Sequence, residues 1–167
     1  MKNIQYKILL GFAALAVFTS CDNERGYADY DPGQNENLEV AGEWNVIGYE
    51  TDGVTPAYGG SYLHYRTYDA ETTGDNDFYL EELDPFFELL TKVQNNNGSF
   101  SGATDAPELV TGGTVTVTNG KVIKGGGRSF SGAVVDSIYF EAEFDWDPGY
   151  IYKFGGHGRS GFLEDDL

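Results

Sequence analysis

This 167-residue chain is poor in the residues that usually carry chemistry: one cysteine, two histidines, and ten Lys and Arg together. A single cysteine, Cys21, excludes an internal disulfide. Cys21 with two isolated histidines, His64 and His157, cannot build a closed zinc site, so no metal is expected. Against ten basic residues stand 27 Asp and Glu, a formal net charge of −17 that repels nucleic acid and anionic lipid headgroups. The Gly-x-Ser-x-Gly nucleophile elbow does not occur. Ser61 is the serine nearest His64 in sequence, but side chains three apart on a strand point to opposite faces. The acids Asp75, Asp77, Glu81, Glu82 and Asp84, and again Asp145, Asp147, Glu164, Asp165 and Asp166, lack the spacing of a calcium loop. No catalytic residue and no cofactor is assigned on this pattern. A long amphipathic helical period is also missing, so any sheet must bury its apolar face by closing on itself or stacking on another sheet.

What is present begins at the N-terminus. Lys2 and Lys7 flank a short charged segment, an apolar run covers 8–18, and Thr19-Ser20-Cys21 follows. That is the layout of a secretory signal, and the run is too short to span a bilayer. Phe18-Thr19-Ser20-Cys21 resembles a lipobox, with phenylalanine where leucine is commoner. Cys21 could be a buried or reactive thiol; its place at the end of the apolar run favours cleavage after residue 20 and diacylation of Cys21. Acyl chains contribute roughly 0.8 kcal/mol per buried CH₂, enough to anchor without spanning. Loss of residues 1–20 removes Lys2 and Lys7 and no acid, leaving the mature chain more acidic still. Residues 21–39 read as a polar, flexible tether. Asp22 and Glu24 resemble the acidic stretches that send lipoproteins of Bacteroidota to the cell surface, and equally suit a solvated linker.

Residues 40–167 form one domain by size. Strand-like runs separated by Gly, Asn, Asp and Pro predict an antiparallel all-β barrel of eight or nine strands: 43–50, 61–68, 78–82, 87–93, 99–102, 113–118, 121–125, 136–144 and 150–155. Asn119-Gly120 between β-branched runs predicts a two-residue hairpin. Alternation places Ile138, Phe140, Ala142 and Phe144 on one face, with Ser137, Tyr139, Glu141 and Glu143 on the other. Asp84-Pro85 is a helix-start signal, but a strand with Phe87, Leu89 and Thr91 on one face competes and is favoured.

Ala41-Gly42-Glu43-Trp44 opens the domain, and Gly-x-Trp at a first strand resembles the lipocalin and wider calycin signature. The resemblance implies that Trp44 plugs a closed barrel end with Arg159 packed across it, a cation–π pair. The same opening, the stretch 119–126, Asp136-Ser137-Ile138-Tyr139-Phe140-Glu141, the Asp147-Pro148-Gly149 turn and Arg159-Ser160-Gly161-Phe162 resemble small Bacteroidota lipoproteins of a lipid-binding putative hydrolase family. That resemblance covers roughly 40–165 and implies a calycin-like barrel with an apolar ligand.

The leading functional reading is a membrane-anchored lipoprotein of the outer membrane whose barrel holds a small apolar or amphipathic ligand without catalysis. Tyr62, His64, Arg66 and Tyr68 share one strand face and are candidate ligand contacts if that face points inward, where Arg66 and His64 would want an acidic partner. Facing outward, they leave Leu63 and Tyr65 as ordinary core, and that orientation is favoured because buried charge is rare. The alternatives are a glycan-binding lipoprotein of a nutrient-uptake system, stacking sugars on Trp146, Tyr58 and Tyr150, or a weak hydrolase.

Overall fold

The computed structural model describes residues 37–70 and 76–165. The expected signal segment, Cys21 and the tether as far as residue 36 lie outside the described residues. Gly33–Leu167 forms one compact unit. Its described strands are β1 (Gly42–Tyr49), β2 (Leu63–Asp69), β3 (Asp77–Glu82), β4 (Leu90–Asn96), β5 (Ser99–Ser101), β6 (Ala106–Pro107), β7 (Thr114–Arg128), β8 (Val134–Phe144) and β9 (Ile151–Gly158). All pairings are antiparallel, in the order β5-β4-β3-β2-β1-β9-β8-β7-β6. A further pairing of β5 with β7, Ser99 opposite Lys121 and Phe100 opposite Gly120, joins the two ends. The result is a closed eight-stranded barrel with the two-residue β6 added outside the ring, as the sequence pattern predicts.

The closure corrects one expectation. Asn119-Gly120 is not a hairpin: β7 runs straight through it, and β8 pairs with both halves. Thr118 faces Glu141 and Lys121 faces Tyr139, so β7 carries one extra residue there, a β-bulge. Asn119 takes the left-handed conformation with φ 54, and its side-chain amide donates to Glu141 at 2.7 Å. Gly120 has no side chain because the Phe100 ring occupies that space; a Cβ there would sit 2.2 Å from the ring. The bulge thus bends β7 and seats the aromatic ring that closes the barrel. The expected strand at 87–93 is also shifted: residues 85–87 form a turn and β4 starts at Leu90, although Phe87, Leu89 and Thr91 all face inward as foreseen.

Aromatic rings fill the interior. Phe140 and Phe154 stack at 4.6 Å between centroids, Phe78 meets Phe100 edge-on at 5.3 Å, and Tyr65 lies 5.7 Å from Phe140. The predicted face of β8, Ile138 through Phe144, is wholly buried. Trp44 occupies one end of this core. Its ring folds back onto Gly42, where a Cβ would stand 3.0 Å away, which is the steric reason for the Gly-x-Trp spacing. Its indole N–H donates to Thr67 Oγ1 at 2.9 Å, and that hydroxyl donates to the Val40 carbonyl at 2.5 Å. Residues 37–40, assigned from sequence to the tether and the domain start, form a turn at this same end, with Asn37 and Val40 buried.

Candidate functional site

The opposite end of the barrel is a mouth built from three connections. Tyr58 stands on the short turn Ala57–Gly59 after β1. Phe86 and Phe87 come from the β3–β4 loop, and Trp146 from the β8–β9 turn. With Glu88 and Thr111 they line a cavity of about 380 Å³, within the range of small-molecule sites. Phe87 is the buried floor, edge-on to Phe154 at 4.9 Å and nearly parallel to Phe144. Gly48 makes room for it: a Cβ there would lie 3.0 Å from the Phe87 ring. Tyr58, Phe86 and Trp146 are the rim, each about half exposed. Tyr58 and Phe86 meet at 70°, so they shape a cup and not a flat platform. Trp146 is backed by Phe144, stacked at 5.0 Å, and the Tyr58 and Tyr152 hydroxyls are 2.9 Å apart above Asp147.

Two buried carboxylates hold the rim loops. Glu82, last residue of β3, accepts from the Phe87 N–H at 2.9 Å and the Phe86 N–H at 3.2 Å, with the Tyr65 hydroxyl at 3.4 Å. Burial pushes its carboxyl up to about 7, against the pull of those backbone donors. Burial and the neighbouring Glu82 likewise raise Tyr65 well above the usual phenol range. Glu108 accepts from the N–H groups of Leu90, Val110 and Thr111 and from the Thr111 hydroxyl. Burial raises that carboxyl too, but the Thr111 hydroxyl and the three N–H donors outweigh it and leave it below the usual range. Glu82 thus ties the β3–β4 loop to the barrel, and Glu108 ties residues 110–111 to the start of β4.

The residues singled out from sequence are scattered among three places. Trp146 is at the mouth. Trp44 and Arg159 are at the other end, where both border a shallow recess of about 300 Å³ with Asp136 and Gly158, and Arg159 donates to Glu43 at 2.5 Å. Tyr62, His64, Arg66 and Tyr68 are on the outer wall, because Leu63, Tyr65 and Thr67 take the inward positions of β2. Arg66 donates to Glu81 at 2.6 Å and lies over the Tyr68 ring. Ser61 precedes β2 rather than lying within it. Sequence reasoning left out Phe86, Phe87 and Glu82. A signal for Glu82 was present: in the alternation Phe78, Leu80, Glu82, the acid falls on the inward parity of β3, where an ionisable group needs a reason.

Among the described residues no group of three or more His, Cys, Asp or Glu is arranged to hold a metal ion. No curated protein matches the chain. Residues 29–163 match the family model described as "lipid-binding putative hydrolase", and the chain, an eight-stranded barrel with an aromatic mouth, belongs to that family.

Proposed function

We propose that this protein binds the acyl chain of a lipid at the mouth of its barrel, as a carrier, while an acylated Cys21 holds it to an envelope membrane. The observation that carries the reading is the cup of Tyr58, Phe86 and Trp146 over Phe87, an aromatic recess that Glu88 and Thr111 also line, on a barrel whose interior is already filled by rings. Exposed aromatic and apolar surface grouped at one end of an acidic protein marks a binding site more often than chance exposure does. A carrier reading also suits the placement of the histidines: both sit on β2 and β9, outside the rim, so no imidazole base is among the residues that line the cup. The 70° angle between Tyr58 and Phe86 favours a flexible chain, which wraps into a cup, over a sugar ring, which stacks on a flat face.

The chain has two tryptophans, Trp44 buried and Trp146 half exposed, so a brominated fatty acid reports on the mouth by quenching. Residues 22–167, which contain the whole compact unit, are to be titrated with it. Saturable quenching that Trp146→Phe abolishes is the expected result. Quenching that is absent or non-saturable, together with lipid-free organic extracts of natively purified protein, would refute acyl binding at the mouth.

A further inference from the structure

Neighbouring strands bring four polar side chains into one line on the outer wall. His64 on β2 is opposite Asn45 on β1, Asn45 is opposite His157 on β9, and His157 is opposite Ser137 on β8. Facing residues on adjacent strands share a face, with Cβ atoms about 5 Å apart. Both histidines of the chain therefore flank one asparagine.

Outward-facing residues of a barrel normally meet water, yet Asn45 is 1% exposed and His157 8%. The cover is the β7–β8 connection. Phe130 lies edge-on to His157 at 4.9 Å and to Tyr62 at 5.1 Å, and Tyr62 is 5.6 Å from His157. The glycine-rich end of β7 packs beneath it: a Cβ on Gly126 would lie 2.6 Å from Ser137 Oγ, and one on Gly127 3.0 Å from His157 Cβ. Asp165 clamps the cover from the C-terminal side, accepting from the Ser131 N–H at 2.5 Å, the Ser131 hydroxyl at 3.0 Å and the Ser160 hydroxyl.

In this row Asn45 Nδ2 and His64 Nε2 are both buried, and neither has a hydrogen-bond partner. Leaving a buried polar group unmatched costs about 1–3 kcal/mol, so two side by side call for an account. The two unmatched atoms, Asn45 Nδ2 and His64 Nε2, can both donate. His157 Nδ1 is 3.2 Å from the Gly158 carbonyl, which can only accept, so that nitrogen carries the proton. The Asn45 amide and the Ser137 hydroxyl are donors, and His64 Nε2 is a donor in one tautomer. In a chain with 27 acids, these four positions carry none.

We propose that the covered row is a second binding site, taking the carboxylate of a small organic acid between Asn45 Nδ2 and His64 Nε2, with Tyr62 and Phe130 over its apolar portion. This is separate from the mouth and does not depend on it.

Two histidines make the test direct, because a long-range ¹H–¹⁵N spectrum of residues 22–167 shows only their ring nitrogens. Hexanoate should shift the His64 signals saturably, and hexanol, with the same tail and no charge, should not. Asn45→Leu should abolish the shift and leave quenching of Trp146 by a brominated fatty acid unchanged. Should Asn45→Leu fail to fold, Phe130→Ala, at an exposed ring, should weaken hexanoate binding at least several-fold. Histidine signals that ignore hexanoate, or respond equally to hexanol, would overturn the proposal and leave the row as the seat of a buried water only. Loss of Trp146 quenching with the histidine shift intact would instead count against the mouth and uphold the row.

Discussion

Glu82 offers the sharpest test of how the mouth is held. Its carboxyl is pushed up to about 7 by burial, against 4.5 for an unperturbed glutamate. Because the folded value is the higher one, the folded state binds more protons than the unfolded state between those two limits. Stability must then fall as pH rises from about 4.5 through about 7, and level off above. At 1.36 kcal/mol per pKa unit the full effect is about 3 kcal/mol, which for a domain of this size is a sizeable share of the total. Glu82→Gln removes the titration and keeps an acceptor for one of the two N–H groups, since Phe86 and Phe87 donate to different carboxylate oxygens; the loss of the other bond is a pH-independent offset. Urea unfolding of both proteins, followed by far-ultraviolet circular dichroism from pH 4.5 to 8, isolates this residue, since the other titrating groups are common to both. The wild type should lose ground against Glu82→Gln by about 3 kcal/mol across that range, with most of the change between pH 5 and 7. A difference between the two that stays constant with pH would refute the assignment of a buried, uphill ionisation to Glu82.

Further outcomes follow from the packing. Gly120→Ala forces a methyl into the Phe100 ring, so it should destabilise by at least about 1–3 kcal/mol, read from the urea midpoint. Thr67→Val takes away the acceptor of the buried Trp44 indole N–H; a loss of about 1–3 kcal/mol and a shifted Trp44 emission are expected. Phe87→Ala removes the floor of the cup and should cost about 3–5 kcal/mol, with a deeper mouth seen as altered chain-length preference in the quenching titration.

Much of the fold was legible because a strand's side chains alternate with period two. Ile138, Phe140, Ala142 and Phe144 could only be buried together, and the same parity puts Tyr62, His64, Arg66 and Tyr68 outside once Leu63 and Tyr65 go in. The Gly42-Glu43-Trp44 opening likewise carries its own steric reason. Local pattern ran out at Asn119-Gly120. A left-handed asparagine followed by glycine suits a tight hairpin and a bulge equally well, and the choice lies with partners distant in sequence: β8 running past both halves, and Phe100 pressing on Gly120. The Asp84-Pro85 helix-start signal yields a turn for a related reason, since Glu82 captures the Phe86 and Phe87 N–H groups that a helix would have placed at its own first turn.

The candidate sites divide the same way. Sequence alone determined the class of molecule: an acidic, all-β chain. It did so because composition and period-two alternation are local properties of the chain. Tertiary structure decided which residues meet. Tyr58, Phe86 and Trp146 are far apart in sequence and converge only because three connections end at one rim of a closed barrel. His64, Asn45, His157 and Ser137 line up only because the register of four strands sets them opposite one another. Register and closure depend on the summed packing of the whole core, which no short stretch of sequence contains.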